Sequence, residues 1–552
     1  MRRSAWLYPL TLTLSCHAAF ADSGSPFRGN PLDTLPAIAV PDAGKPPLKV
    51  DIAPAPTPAP DLLDYRLAVQ RVDIEGVAAI PFDQLAPFFA DLAGREVALR
   101  ELITGTEAVT RLYQQRGYPL SFAYLPVQDF QDGVVRIIVV EGYVGELIIE
   151  GDAGPLEARL RRTLAPLLAE KPLTRASFER YTNLIAQIPG LSAKAELRPP
   201  TSTGGAGSLK LDVVRKTIQG GVGLEYNHPG ARGIFSLSGQ AQTGQGEQLS
   251  LTALAPPGRD HEKFYGLQYS QLLGYEGTQI KLEASDYRSR PETPLQLSGL
   301  TLRRELKNSR AGLLLSHPFL LSNTQSLSAT AGAYLSRNEE NYRVEENGTS
   351  LRTLARLTVV NAGFSFSRAD RGALTRVGAS VYQGLETAGA RQELNAFDLD
   401  FTRASANLSR TDDWPARFAS VLQLTGQYSR QNLPSSEQIG FGGRQFGRAY
   451  PAGEVAGDHG WGVSLELQRG FRPDQRFLKL LQPFLLVEHA RVGVNRGQLV
   501  HDTLGSVAVG LRLTDSRHYK LELDVAKPTA DVPSGLDSRK PRWNASYSYR
   551  LM

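Results

Sequence analysis

From residue 217 to the C-terminus, apolar and polar residues alternate in short runs. In residues 326–335, Leu and Ala occupy every second position, and Ser, Thr, Gly and Tyr occupy the positions between them. A period of two is typical of β-strands with one apolar and one polar face. A soluble β-domain would bury the apolar faces, but no helix layer or further domain remains to cover so many strands. The pattern therefore predicts a mainly β fold, a transmembrane antiparallel β-barrel with its apolar face toward lipid and its polar face toward a lumen.

The segment before the barrel, residues 65–216, has the mixed pattern of two small α+β modules. In residues 65–142, LAVQRVDIEGV predicts a strand, and PFDQLAPFFADLAG predicts an amphipathic helix. A second helix and two strands around an Asp-Gly turn follow, and residues 143–216 repeat the order strand, helix, helix, strand, strand. Such a repeat predicts a duplicated module with a free sheet edge for an extended peptide. The apolar face of the first predicted helix comprises Leu85, Phe88, Phe89 and Leu92.

The N-terminus predicts export from the cytoplasm. Residues 1–21 combine two arginines, a short apolar run and an Ala-Phe-Ala sequence, which is the pattern of a cleaved signal peptide. Residues 22–64 are rich in proline and predict an extended periplasmic tether. Cys16, the one cysteine of the chain, lies within the predicted signal, so the mature chain has no thiol for a disulfide or a nucleophile. The net charge of +5 is spread along the chain, which argues against nucleic-acid binding.

The stretch GGRQFGRAYPAGEVAGDHGWG, Gly442–Gly462, is too long for a hairpin turn and shows no obvious helix or strand of its own. Eleven or twelve strands are predicted before it, the doubt lying between Leu295 and Phe319. A chain that starts in the periplasm reaches the outside after an odd number of strands, and long loops belong outside. Eleven strands before the stretch and five after it predict a 16-stranded barrel over residues 217–552, with residues 430–460 as an inward-folded loop. The five are Trp461–Arg469, Leu481–Val492, Leu504–Leu513, Lys520–Ala526 and Trp543–Leu551.

Three motifs give the chain a family resemblance. RLYQQRGYPLSFAYLPVQDFQDGVVRIIVVEG resembles a polypeptide-transport-associated (POTRA) domain, and the glycine-rich stretch resembles a loop whose arginine folds back into a barrel. PFLLVEHARV, Pro483–Val492, resembles the strand motif that faces this loop. Together with the order of segments, these motifs resemble the outer-membrane transporters of two-partner secretion, the TpsB type of hemolysin and filamentous-adhesin secretion proteins, which are related to BamA. The resemblance covers the chain from about Leu67 onward.

The resemblance implies a lock between the loop and the barrel wall. Arg448 takes the place of the loop arginine, Tyr450 that of the aromatic residue after it, and Glu488 that of the strand aspartate. Alternation places Glu488 and Glu466 on the luminal face, and a buried arginine needs a carboxylate, so we expect Arg448 to pair with Glu488. The alternative is an ordinary solvated loop. The expected loop–barrel lock comprises Arg448, Tyr450, Phe446, Gly442, Gly443, Glu488, Glu466 and Asp458.

The chain departs from the commonest family pattern in a few places. Gly447 and Ala449 flank the loop arginine, and Leu486 and Ala490 stand where the strand motif usually has an aromatic residue and a glycine. Met552 ends the chain, where barrel-assembly signals usually end in Phe. The terminal strand keeps its alternation, so we still expect insertion into the membrane.

Enzyme and metal chemistry find no support in the motifs. His459 follows Asp458, but no serine in a GxSxG turn accompanies the pair. The eight histidines show no HExxH or clustered ligand spacing, and no P-loop is present. We therefore expect no catalytic residues, no metal and no cofactor.

The resemblance implies a secretion pore. An unfolded exoprotein of the TpsA type would dock on the POTRA modules and pass through the barrel without nucleotide hydrolysis, and further partners would be outer-membrane lipid and the barrel-assembly machinery. The alternatives are an assembly factor of the BamA type, a passive porin and a surface enzyme. The many prolines between Gly24 and Pro60 argue against a long plug helix in the lumen. The docking residues implied by the POTRA motif are Gly117, Tyr118, Pro126, Gln128, Glu141 and Gly142.

Overall fold

The computed structural model describes residues 63–551, apart from residues 201–203, 228–229, 255–260, 292–293, 298–299, 387–388, 394–396, 445, 500 and 534–537. The predicted signal peptide, all but the last two residues of the predicted tether, and Met552 lie outside the described residues.

The first module packs a small sheet against one α-helix. The sheet has the order β2-β5-β4, in which β2 runs parallel to β5 and β4 runs antiparallel to it. A separate antiparallel pair, β1 with β3, precedes the helix. The elements are β1 Arg66–Val69, β2 Arg71–Glu75, β3 Arg95–Ala98, α1 Leu99–Gln115, β4 Phe122–Tyr124 and β5 Val134–Val140.

Two predictions for this module are wrong in detail. The expected first strand is divided into β1 and β2, and the expected amphipathic helix consists of three 3-10 turns, at Phe82–Gln84, Ala86–Phe88 and Ala90–Leu92. Pro87 lacks a backbone N–H and disfavours a continuous α-helix there. Leu85 and Phe89 still reach the module core, whereas Phe88 is exposed. The apolar spacing thus predicted burial correctly for Leu85, Phe89 and Leu92 but not for Phe88, and it predicted the hydrogen-bond pattern incorrectly.

The second module repeats this topology. Its sheet has the order β6-β8-β7, with β6 parallel and β7 antiparallel to β8, and two helices cover one face. The elements are β6 Tyr143–Gly151, α2 Glu157–Ala169, α3 Arg175–Ala186, β7 Leu191–Arg198 and β8 Ala206–Arg215. In both three-stranded sheets, the last strand (β5 or β8) lies in the centre, parallel to the first strand of that sheet (β2 or β6) and antiparallel to the strand before it (β4 or β7). The duplication expected from the sequence therefore extends to the sheet topology.

The remaining chain forms a closed antiparallel barrel. Its sixteen long strands agree with the predicted number, and eleven of them precede the long loop. β14 and β19 are short additional pieces beside β15 and β17, and β22 pairs with β23 within the long loop. The strands are β9 Ile218–Asn227, β10 Gly230–Gln240, β11 Gln248–Leu254, β12 Lys263–Leu273, β13 Thr278–Ser289, β14 Leu295–Leu297, β15 Leu300–Leu321, β16 Gln325–Val344, β17 Ser350–Asp370, β18 Ala373–Gly384, β19 Arg391–Gln392, β20 Thr402–Trp414, β21 Phe418–Ser429, β22 Ile439–Phe441, β23 Val455–Gly457, β24 His459–Arg469, β25 Leu480–Gly493, β26 Thr503–Thr514, β27 Tyr519–Pro528 and β28 Arg542–Arg550.

The barrel strands have the two faces that alternation predicted. On β25, Leu485 and Val487 are exposed on the outside, whereas Glu488, the next residue along the strand, is buried toward the lumen. The same holds on β24, where Leu465 is exposed and Glu466 is buried. The carboxylates are thereby directed at whatever fills the lumen. Among the helices that the structure describes, none is long and apolar enough to cross a membrane.

The modules and the barrel share buried cores. Leu120 of the first module and Leu272 of β12 both belong to the core of the second module. The N–H of Arg175 donates to the carbonyl of Gly117 at 2.7 Å, which joins the second module to the first. Arg159 of α2 donates to the carbonyl oxygens of Gly274 at 2.7 Å and of Gly244 at 2.9 Å, in two periplasmic turns of the barrel. Burial lowers the pKa of the Arg159 guanidinium. The two modules, which we call the arm, are therefore attached by buried groups to the end of the barrel at which these turns lie.

Candidate functional site

The long loop between β21 and β24 lies inside the barrel and contacts the luminal wall at two places, one at β16 and β20 and the other at β27. It is less irregular than the sequence suggested, since β22 and β23 form a small sheet within it. Positive φ values of 117° at Gly442, 81° at Gly443 and 92° at Gly447 turn the chain back on itself. A Cβ on Gly442 would lie 2.2 Å from the carbonyl oxygen of Pro451, so glycine is required there.

Arg448 is buried at the tip of this loop, and its guanidinium is held by β27. Its Nη1 lies 2.7 Å from Oε1 of Glu522 and 2.8 Å from Oδ1 of Asp524. The expected pairing of the Arg448 side chain with Glu488 is therefore wrong. The carboxylates that receive the guanidinium come from β27, two strands further along the barrel than Glu488, and the family motif does not cover that strand.

Glu488 holds the backbone of the loop instead. It accepts hydrogen bonds from the N–H groups of Gly447 at 3.0 Å and Arg448 at 2.9 Å, and from the hydroxyl of Ser506 at 2.6 Å. The carboxylate is 4% exposed, so these donors replace water around it. Glu488 thus contacts Arg448 through the peptide N–H of the arginine and not, as we expected, through its guanidinium.

Arg512 of β26 organises the remaining carboxylates. It binds Glu466 with two donors, at 2.5 and 2.6 Å, and its Nε lies 2.8 Å from Glu522. Arg444 of the loop lies 3.2 Å from Glu522 as well. Glu466 therefore belongs to the charged cluster that the sequence predicted, although its partner is a barrel arginine. Such a network of bidentate, buried pairs fixes geometry more strongly than isolated surface pairs do.

One aromatic ring, that of Phe484, lies near both buried guanidinium groups. The guanidinium of Arg512 lies 4.2 Å and that of Arg448 5.3 Å from the ring centre of Phe484, both within range of a cation–π interaction. Phe484 was not among the predicted site residues. Glu522, Asp524 and Arg512 were not among them either, although Leu521, Leu523 and Val525 alternate with the two acids in a strand that the sequence did predict.

Tyr450 and Phe446 pack the loop against the wall. Tyr450 is 0% exposed, and its hydroxyl donates to the carbonyl oxygen of Asp531 at 2.9 Å. Phe446 meets Phe441 edge to face, with 5.7 Å between the ring centres. The small cluster around Tyr450 includes Leu486 and Ala490, the two positions at which the strand motif departs from the family pattern. The apolar side chains there are used to pack the loop.

Asp458 closes the base of the loop. It accepts from the N–H groups of Leu433 and Asn495, both at 2.8 Å, and from the side chain of Gln438 at 3.2 Å. It thereby connects the outgoing end of the loop to the incoming end and to the next extracellular loop. His459 makes a ring contact with Tyr428 at 6.3 Å, which agrees with packing as its role.

The loop has a second anchor that the sequence did not reveal. Glu437 accepts from Arg403 of β20 at 2.8 Å and from the hydroxyl of Tyr334 of β16 at 2.7 Å. Glu437 is buried, and Arg403 stacks on Tyr382 at 3.7 Å. Since Arg448 is held by β27, the loop is held at opposite walls and bridges the lumen.

The POTRA motif residues mostly serve the first module's own structure. Glu141 accepts from the N–H groups of Ala78 and Ala79 at 2.8 and 2.7 Å, and from the hydroxyl of Tyr113 at 2.8 Å. Burial, together with that hydrogen bond, raises the pKa of Tyr113 well above its usual value. Tyr118 packs edge to face on Tyr113. These groups are turned inward, away from a cargo chain.

The other motif residues shape turns and junctions. Gly117 has a positive φ, 91°, just after the end of α1. The carbonyl of Gly142 accepts from Leu173 of the second module at 2.9 Å. The Gln128 side chain exchanges two hydrogen bonds of 2.9 Å with the backbone of Arg136, and Pro126 lies half-buried before it. Docking by these particular side chains stays a prediction. Within the described residues, no group of three or more His, Cys, Asp or Glu side chains is arranged to hold a metal ion.

Comparison with known proteins places this architecture in a family. Residues 67–142 match the model of the POTRA domain, ShlB-type, and residues 216–513 match the model of the haemolysin secretion/activation protein ShlB/FhaC/HecB. The chain is similar to the heme/hemopexin transporter protein HuxB of Haemophilus influenzae, at 22% identity over 81% of this chain and 80% of the relative. It is similar to the hemolysin transporter protein ShlB of Serratia marcescens, at 24% identity over 73% and 72%.

A solved structure shares the fold. CdiB from Escherichia coli superposes with a TM-score of 0.67 at 18% identity, over 92% of this chain and 94% of that one. The second family model alone spans more than half of the chain. The chain therefore belongs to the haemolysin secretion/activation family ShlB/FhaC/HecB, the outer-membrane transporters of two-partner secretion, and its POTRA-type arm lies in the periplasm.

Proposed function

We propose that this transporter receives one unfolded exoprotein at the free sheet edges of its periplasmic arm and exports it through the barrel when the luminal loop moves aside. The observation that carries the proposal is the bridging loop, which is anchored at Glu437 on one wall and at Arg448 on the other. Ion pairs and hydrogen bonds can reform after each passage, whereas a loop continuous with the wall could not yield. The bridge therefore acts as a reversible closure.

The arm supports a docking role through its strand edges. In the second module, β7 is an edge strand of the sheet. The N–H of Lys216 donates to the carbonyl of Gly190, so these two residues form a hydrogen-bonded pair. Hydrogen-bonded and non-hydrogen-bonded pairs alternate along an antiparallel ladder, so the next pair, Leu191 and Arg215, makes no hydrogen bonds between its backbone groups. By alternation, the N–H groups of Ala193 and Ala195 point away from β8. These donors are available for an added strand, which recognises an extended backbone with little regard to side chains.

The barrel-assembly machinery and outer-membrane lipid complete the proposed set of partners, and we infer no catalytic activity. The alternation of Trp543, Ala545, Tyr547 and Tyr549 on β28 supports insertion by the assembly machinery. The assembly-factor alternative is less favoured, because the family match is to secretion transporters and the described arm has two modules.

The test removes one edge donor. Ala193→Pro deletes an N–H that the sheet does not use, whereas Ala193→Ser keeps it and serves as the matched control. Each variant is produced together with the exoprotein that the wild-type transporter secretes. Exoprotein in the medium is measured per amount of heat-modifiable barrel in the outer membrane. Secretion should fall for Ala193→Pro and stay at the wild-type level for Ala193→Ser; wild-type secretion by Ala193→Pro would exclude docking at β7.

A further inference from the structure

The outer wall of the barrel carries an unusual arrangement of positive charge at its extracellular end. β15, β16 and β17 are 22, 20 and 21 residues long and extend well beyond the length that a membrane strand needs, about 10 residues. On β16, the exposed Leu335 ends the lipid-facing apolar positions, and Arg337 follows two residues later on the same face. On β12, Lys263 stands two residues beyond the exposed Tyr265 in the same way.

These basic residues lie directly opposite one another across neighbouring strands. Lys263 of β12 is in register with Arg288 of β13, and Arg288 is in register with Lys307 of β15. Arg337 of β16 is in register with Arg356 of β17. Like charges at directly opposed positions of an antiparallel pair destabilise the sheet. An anion bound between such side chains relieves this repulsion.

Two further pairs continue the pattern. Arg356 is also in register with Arg391 of β19, and Arg303 of β15 is in register with Arg343 of β16. We call this outward surface of β12 to β19 the cationic face. Its basic residues are Lys263, Arg288, Arg303, Lys307, Arg337, Arg343, Arg356 and Arg391.

The carboxylates on the same surface are too few to neutralise it. Glu339 accepts from Arg352 at 2.9 Å and lies 3.3 Å from Arg337 and 3.9 Å from Lys307. Asp286 pairs with Arg288, Glu345 pairs with Arg303, and Glu305 lies 3.8 Å from Lys307. Lys263, Arg343 and Arg356 form no ion pair with the residues that the structure describes.

The opposite side of the barrel provides a comparison. At the extracellular ends of β25 and β27, the outward basic residues are Arg491, which pairs with Asp502 at 3.2 Å, and Lys527. These two residues are isolated and lie in no like-charge row, since Lys527 is opposite Val507 and Arg491 is opposite Thr503 and Trp461. The extracellular ends of β25 and β27 therefore lack the like-charge rows of the cationic face.

We propose that the cationic face binds the phosphorylated headgroup of a glycolipid in the outer leaflet of the outer membrane. The surface continues the lipid-facing apolar wall upward, so its neighbour is a lipid headgroup rather than bulk solvent. Phosphate accepts two parallel hydrogen bonds from a guanidinium, and paired arginines such as Arg337 and Arg356 suit one phosphate between two strands. A headgroup with two phosphates would bridge two rows. The bound lipid would stabilise the long strands whose inner faces hold the luminal loop.

The test uses purified full-length protein and diphosphorylated lipid A as the probe. Bound lipid is counted by native mass spectrometry, and thermal unfolding is followed in the same micelles. Arg337→Gln/Arg356→Gln removes one like-charge row, and Arg491→Gln/Lys527→Gln is the matched control with the same loss of charge. Each basic residue near an anionic surface contributes modestly, so the double change should weaken lipid A binding by at least about tenfold. The control should bind as the wild type does.

The thermal measurement separates binding from a general structural effect. Without lipid A, Arg337→Gln/Arg356→Gln should unfold at the same temperature as the wild type or at a higher one, because a repulsion is removed. With lipid A, the wild type should gain stability and the variant should gain little. Equal binding by the variant and the wild type would overturn the proposal. So would equal binding of dephosphorylated lipid A or phosphatidylglycerol, or displacement of lipid A by millimolar inorganic phosphate, which would identify a simple anion site.

Discussion

Replacing Arg448 with alanine should release the luminal loop from β27 and leave the barrel folded. Its guanidinium lies 2.7 Å from Glu522 and 2.8 Å from Asp524, and both carboxylates are buried. Glu522 keeps Arg512 and Arg444, whereas Arg448 is the one ion-pair partner of Asp524 among the described residues. The change thus leaves one buried carboxylate unpaired, at a cost of about 3 kcal/mol, the lower end for breaking a buried pair.

A cost of about 3 kcal/mol shifts the equilibrium between anchored and released loop roughly a hundredfold. Glu437 and Asp458 still hold the rest of the loop, but its tip leaves the wall more often, so protease added outside cells should cleave the tip faster. Secretion per inserted barrel should fall, because a tip without its anchor on β27 has no defined position to return to between passages and obstructs the lumen. Both are measured on the same cells, with the exoprotein in the medium normalised to transporter in the outer membrane. Arg448→Lys should recover the loss only in part, since an ammonium lacks the planar group that lies over the ring of Phe484.

A double-mutant cycle identifies the partner. Asp524→Asn keeps the shape of the side chain and its bond to Asn544, and its combination with Arg448→Ala should cost about 1–3 kcal/mol less than the two single changes added. Glu488→Gln is the matched control. It disturbs the hydrogen bonds to the loop backbone, so its effect should add more nearly to that of Arg448→Ala. Additive effects for Asp524, or a stronger coupling with Glu488, would refute the assignment.

Three further changes test the arm. Gly117→Val should destabilise the first module by about 1–2 kcal/mol through backbone strain alone, because φ is 91° and a Cβ there meets nothing within 4 Å; an unchanged urea midpoint in limited proteolysis would contradict this. The pKa of Tyr113 is raised in the folded module, so its stabilisation is complete below the unfolded value of about 10 and is lost as pH rises above it. Proteolysis of the first module should therefore increase above pH 10 in the wild type more than in Tyr113→Phe. Arg159→Met should weaken the attachment of the second module to the barrel by about 2–3 kcal/mol of free energy, measured as faster proteolytic cleavage between them. Arg161→Met on the same helix is the control and should have no effect, because the exposed pair of Arg161 with Glu157 contributes little.

The alternation of residue types determined most of the barrel. A period of two specifies which side chains meet lipid and which meet the lumen, because each strand is paired on both sides and can turn only one face inward. The argument from chain direction then selected sixteen strands and an extracellular origin for the long loop, and the topology confirms both. The same alternation placed Glu466 and Glu488 on the inner wall, where the structure has them.

The sequence could not select the partner of Arg448. Glu466, Glu488, Glu522 and Asp524 all satisfy the rule for a luminal acid, and they lie on three different strands. Which of them meets the arginine depends on how the loop crosses the lumen and on where barrel closure brings β27. The family resemblance indicated Glu488. Glu488 does contact the loop, but its carboxylate accepts hydrogen bonds from the backbone N–H groups of Gly447 and Arg448. The second anchor at Glu437 is equally non-local, since its partners stand 34 and 103 residues away along the chain.

Register likewise belongs to the tertiary structure. Arg337 and Arg356 are unremarkable in the sequence, and only the pairing of β16 with β17 places them opposite one another. The first module shows the same limit at short range. The spacing of Leu85 and Phe89 determined that both are buried, because it reflects which side of the segment faces the core. That this segment forms successive 3-10 turns and not an α-helix agrees with Pro87, which lacks an N–H. Apolar spacing specifies which face is buried, but it does not specify the hydrogen bonds of the backbone.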